Sequence, residues 1–218
     1  MKTLIKKDIK IVGPLINMIL IPMGLVFAFG IVLIDDKFIR ILLSSFSIFM
    51  MANMALLKMW SHDFSKKTDI FLNSLPLDKE LIVTSRYASI MIYIACSSLI
   101  VFIVSQSHRG MFINDPINTI DLNEIINIIS VSILLMASYL PIYYTKSRKF
   151  NNVSELPLFI GLVAIVIIRH SYNNKNVFYR IINNIDLSQI SVILIILSII
   201  AYTLSLKASI KLYKSQEF

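Results

Sequence analysis

Few residues in this chain could do chemistry, and they are scattered. Three histidines (His62, His108 and His170), one cysteine (Cys96) and thirteen Asp and Glu residues are the candidates among 218 positions. A metal site takes two or more ligands from one helical face, as a His-Glu-x-x-His pair does. No such pair occurs, and the histidines stand far apart at the edges of apolar stretches. A phosphate-cradling P-loop needs a Gly-rich turn followed by Lys and then Ser or Thr. Gly13, Gly24, Gly30, Gly110 and Gly161 never make that pattern. The expectation is a chain that is not an enzyme and holds no metal or cofactor, so that any nucleotide hydrolysis takes place on another chain. Cys96 has no partner for an internal disulfide and lies in an apolar stretch, which suggests a small core hydrophobe.

The elements around these residues are apolar. Hydrophobic residues make up 56% of the chain and charged ones 16%, against about 45–50% and about 25% in soluble domains. Mean hydropathy is +0.75. A bilayer core of about 30 Å takes roughly 20 apolar residues as a helix. Stretches free of Asp, Glu, Lys and Arg predict an all-α integral membrane protein with six transmembrane helices, at about 11–34, 38–60, 86–106, 124–145, 153–172 and 187–207. The fifth is long enough only if Arg169 snorkels to the interface. Residues 1–218 read as one transmembrane domain, with an amphipathic lead-in at 1–10 and a loop at 61–85. The basic N-terminus resembles the start of a signal peptide, but the apolar run after it is too long and lacks a small-residue cleavage site, so it reads as a retained first span.

Basic residues accumulate on the cytoplasmic side of membrane proteins. With six spans, one side holds Lys2, Lys6, Lys7, Lys10, Lys58, Lys66, Lys67, Lys79, Arg86, Lys146, Arg148, Lys149, Lys207, Lys211 and Lys214, which is 15 of the 21 Lys and Arg residues. Both termini are therefore expected in the cytoplasm. The net charge of +8 belongs with anionic lipid headgroups rather than nucleic acid, since no basic segment comes with a soluble fold to carry it.

Inside the spans the polar residues are mainly serines and a few amides. Helix-to-helix hydrogen bonding is the ordinary use of such residues in membranes. Asn17, Asn53 and Met54 are the candidates for a transport path. Pro14 and Pro22 would kink the first span. The Phe- and Met-rich stretch from Phe46 to Met54 reads as packing or lipid-facing surface. The predicted spans lack the mid-membrane carboxylates expected of a proton- or sodium-coupled carrier, which places the energy source outside this chain.

The most informative segment is the 61–85 loop. Phe64, Thr68, Phe71, Leu72 and Leu75 fall at helical spacing, with Asp63, Lys66, Lys67 and Asp69 off that stripe. Pro76 ends the segment, and Asp78 can cap the helix that follows. A short amphipathic helix, a sharp break and a second helix feeding span three are expected.

The run Asp63 to Tyr87, with Lys66-Lys67-Thr68, Asn73-Ser74-Leu75-Pro76-Leu77, Lys79-Glu80 and Arg86-Tyr87, resembles the second cytoplasmic loop of bacterial ABC-2 type permeases. The likeness covers about 25 residues in motif and the whole chain in layout. It implies an exporter subunit that pairs with a second six-helix subunit, the same or a sister chain, and docks cytoplasmic ATPase subunits that bind the ATP and Mg. Asp63, Phe64, Lys67, Asp69, Phe71, Leu72, Leu75 and Pro76 would then form the ATPase-coupling element, and spans one, two and five would rearrange around the cargo. Small family members of similar build include staphylococcal exporters of phenol-soluble modulins, which implies an amphipathic peptide substrate. A non-transporting scaffold or peptide-immunity protein and a secondary carrier are the alternatives.

Overall fold

The computed structural model describes residues 1–15, 37–65, 78–111, 120–144 and 187–215. They form five helices and, among the described residues, no strand: α1 (Lys2–Leu15), α2 (Lys37–Ser65), α3 (Lys79–Met111), α4 (Leu122–Tyr143) and α5 (Leu187–Lys214). Four of them carry stretches long and apolar enough to cross a membrane, Ile41–Met59, Lys79–Ile103, Leu122–Tyr143 and Ser191–Lys214. These correspond to the second, third, fourth and sixth expected spans. Most of the first expected span and all of the fifth, 153–172, lie outside the described residues.

Two helices run past the ends read from hydropathy. α2 continues to Ser65 and α3 begins at Lys79, so both ends of the expected 61–85 loop are helical extensions of the spans. The reason is physical. Absence of charge marks where lipid ends, whereas Lys and Glu are good helix formers and carry a helix into water. Asp78 occupies the expected capping position, with its carbonyl accepting the N–H groups of Leu81 (2.9 Å) and Ile82 (3.3 Å). Glu80 in the first turn complements the helix dipole. At 33 residues, α3 is about 50 Å long and outreaches the bilayer core. α4 starts at Asp121, whose carbonyl accepts the Ile125 N–H at 3.0 Å. It ends soon after Pro141, which removes one ladder donor.

α4 packs along α5 and α2, while α3 packs against α2, α4, α5 and α1. The four long helices thus form a ring in the order α2, α4, α5, α3, with α1 lying against α2 and α3. The core holds Ile48, Leu56, Tyr87, Ile90, Ile94, Ile128, Met136 and Leu140, all nearly inaccessible. Lipid tails are as apolar as these side chains, so close approach and hydrogen bonding hold such helices together. Serines supply both. Ser44, Ser45 and Ser47 of α2 and Ser132 of α4 are fully buried, and Ser132 Oγ donates to the Ser45 carbonyl at 3.1 Å across the crossing. Most other serines bond back to their own helix, as Ser45 Oγ does to the Ile41 carbonyl at 2.6 Å. On α5, Ser191, Ser198, Ser205 and Ser209 form the buried seam, while the face from Val192 to Leu204 is exposed.

Cys96 corrects its sequence reading. It is exposed, on the outward face of α3 with Met91, Ile92, Leu99 and Ile103. An apolar span gives no contrast between its packed face and its lipid face, so composition alone cannot place a thiol on either. The stretch Phe49, Met50 and Met51 is packing surface, buried in the core.

Candidate coupling site

The first two turns of α3, which lead directly out of the 61–85 loop, are clasped on two sides. Asp8 of α1 points into the first clasp. Its side chain is 3% exposed, and one carboxylate oxygen lies 3.6 Å from a guanidinium nitrogen of Arg86, itself 7% exposed. At that distance the contact is an ion pair rather than a hydrogen bond. Ser89 Oγ donates to the other carboxylate oxygen at 3.2 Å. The Tyr93 hydroxyl donates to the Asp8 backbone carbonyl at 3.3 Å. Lys7 approaches the same carboxylate at 3.9 Å from a more exposed position. One turn further along α1, Val12 is buried with Met51, Ala55 and Met59 of α2 and Tyr93 of α3. Arg86, Ser89 and Tyr93 recur at three- and four-residue spacing, so one stripe of α3 meets the Asp8 face of α1.

The second clasp faces α5. The Tyr87 hydroxyl bridges Ser205 Oγ at 2.8 Å and Ser209 Oγ at 2.7 Å. The Tyr202 hydroxyl donates to the Tyr87 carbonyl at 2.8 Å, and the two rings meet edge to face with centroids 5.2 Å apart. Nearer the loop, Lys214 Nζ reaches Glu80 at 3.0 Å on the surface. Tyr213 packs edge to face on Tyr144 at the end of α4, with ring centroids 5.7 Å apart. The start of α3 therefore holds the N-terminal helix with one stripe and the end of α5 with another. These contacts place residue 8 and residue 214 at the same end of the bundle.

The predicted site residues are placed unevenly. Asp63 and Phe64 lie on the last turn of α2, which runs directly toward the loop. Lys67, Asp69, Phe71, Leu72, Leu75 and Pro76 lie outside the described residues, as does Asn17. Asn53 is 3% exposed, with its carbonyl oxygen unpartnered inside the bundle. Met54, half-buried, packs on the Val12, Ala55 and Tyr93 cluster. Among the described residues no group of three or more His, Cys, Asp or Glu side chains could hold a metal.

Sequence reasoning missed Asp8. The signal was present: it is the one acidic residue in a lysine-rich segment, and Arg86 opens the third span. A charge among lysines reads as solvated until the partner helix is known.

A family model described as ABC-2 family transporter protein matches residues 3–214. No curated protein and no solved structure matches the chain.

Proposed function

We propose, from the premise that the chain belongs to the ABC-2 family of transporter proteins, that it is the permease subunit of an ATP-driven exporter of the bacterial cell membrane. ATP and Mg bind a partner ATPase, and this chain performs no catalysis. Both termini face the cytoplasm, and two six-helix subunits, identical or sister chains, enclose the path. The cargo is an amphipathic peptide.

The observation that carries the reading is the double clasp on the helix that leaves the loop. A push on the segment from Asp63 to Pro76 reaches α3 at Lys79. Because α3 is one continuous helix, it moves as a rod. Asp8–Arg86 takes α1 with it, and Tyr87–Ser205–Ser209 takes α5. Closure of the ATPases is thereby converted into a shift of α1, which leads into the first expected span, relative to α2 and α4.

The test is co-purification of the full chain with an ATPase from its native host, for the unaltered protein, Asp63→Lys, Asp69→Lys and Pro76→Gly. Capture by the unaltered chain and loss in the charge reversals is the expected result. Failure of any ATPase to co-purify with the unaltered protein removes the exporter reading in favour of a scaffold or immunity protein. Peptide movement that persists after ATP depletion favours a secondary carrier.

A further inference from the structure

The clasp also fixes how deep α1 sits in the membrane, and it does so without reference to any transport reaction. Asp8 is held to Arg86, and Tyr87, the next residue, is held to Ser205 and Ser209. Asp8 is therefore level with the turn of α5 that carries Lys207. On α5 the exposed face is apolar from Val192 to Leu204, and the next exposed side chains beyond Thr203 and Leu204 include Lys207, Ala208 and Lys211. That change from apolar to basic marks the boundary between acyl chains and headgroups. The stretch of α1 around Asp8 thus lies at headgroup depth.

Its two faces differ in charge. The face against the bundle carries Asp8 and Val12, both buried. The outward face exposes Lys2, Lys6 and Lys10 at four-residue spacing, with Met1 and Ile9 exposed beside them. Lysines flanking exposed apolar side chains suit an interfacial helix, in which the apolar groups dip into the acyl boundary and the ammonium groups meet headgroups. At this end Asp8 is buried in its clasp and Glu80 pairs with Lys214, so neither of these carboxylates neutralises this face. We infer that the outward face of α1 is a binding surface for anionic phospholipid headgroups, and that occupation of it presses α1 into the clasp.

The probe is phosphatidylglycerol titrated into detergent micelles of the purified full chain, with phosphatidylcholine as the uncharged comparison and thermal unfolding as the readout. Phosphatidylglycerol raises the unfolding midpoint of the unaltered protein, phosphatidylcholine does not, and salt well above physiological strength removes the effect. Each lysine near an anionic surface is worth roughly a five-fold change in affinity, so Lys2→Gln, Lys6→Gln and Lys10→Gln together weaken the apparent phosphatidylglycerol affinity by the order of a hundred-fold. The same three positions changed to Arg retain it. Because the three lysines are exposed, the Gln variant keeps its unfolding midpoint without lipid. A full phosphatidylglycerol shift in the triple Gln variant overturns the inference, as does an equal shift with phosphatidylcholine. Loss of ATPase capture in that variant with the lipid shift intact would assign the face to an acidic protein surface instead.

Discussion

Removing either partner of the Asp8–Arg86 pair tests the clasp most directly. Both side chains are more than nine-tenths buried, at 3.6 Å. Taking away one leaves the other as a buried charge without its close counter-ion, which costs about 3–5 kcal/mol. The pair lies near the membrane interface and Lys7 stands 3.9 Å from the carboxylate, so the lower end, about 3 kcal/mol, is expected for Asp8→Asn and for Arg86→Met. That is more than a hundred-fold in the folded-to-unfolded ratio. Asn keeps an acceptor for Ser89, and Met keeps most of the arginine stem, so neither change acts chiefly through lost volume. The double variant leaves no buried charge from this pair. Its loss should be no larger than that of a single variant, a coupling of about 3 kcal/mol or more. The assay is reversible unfolding of the detergent-solubilised full chain by titrated dodecyl sulfate, followed by far-ultraviolet circular dichroism. Single variants within about 1 kcal/mol of the unaltered protein, or a double variant whose loss equals the sum of the two, would refute the reasoning that α1 is held by charge.

Three further outcomes follow from other contacts. Tyr87→Phe keeps the ring packing on Tyr202 but removes the bridge to Ser205 and Ser209; at roughly 0.6 kcal/mol per membrane hydrogen bond the loss is about 1 kcal/mol in the same titration, and Ser205→Ala/Ser209→Ala adds little to it. Asn53→Leu removes a buried carbonyl oxygen that has no partner, so the unfolding midpoint stays level or rises, and a drop in peptide export without destabilisation would place Asn53 on the path; a loss above about 1 kcal/mol contradicts this placement. Cys96 on the outer face of α3 reacts with an apolar, membrane-soluble maleimide and is spared by a charged one added from either side; equal labelling by both would put that face in water.

The sequence carried the helices more legibly than their relations. Charge-free stretches located α2, α3, α4 and α5 because hydropathy reports contact with lipid directly. They could not report how far a helix continues into water: the cap at Asp78 announced the helix over Lys79 to Ser85, while nothing showed that Ser61 to Ser65 continue α2 without a break. They also could not tell which face of a span meets protein. Cys96 went to the wrong face for that reason, while Ser45 and Ser132, equally unmarked, proved to be the α2–α4 contact. The clasp was least legible. Asp8 and Arg86 are each unremarkable in their own segments, and only the packing of α1 across α3 makes them a pair. The loop motif spoke through Leu75-Pro76-Leu77, yet the groups that connect it to the rest of the described bundle lie at its far end, at Glu80, Arg86 and Tyr87.

The order in which the clasp closes bears on biogenesis. Arg86 and Tyr87 emerge from the ribosome long before Ser205, Ser209 and Lys214, so during insertion the start of α3 can be held by α1 but not yet by α5. The element that would receive the ATPase push is complete only after α5 has entered the membrane. A nascent or prematurely stopped chain therefore has its coupling end half built, and an ATPase that senses both clasps would engage finished subunits in preference to fragments.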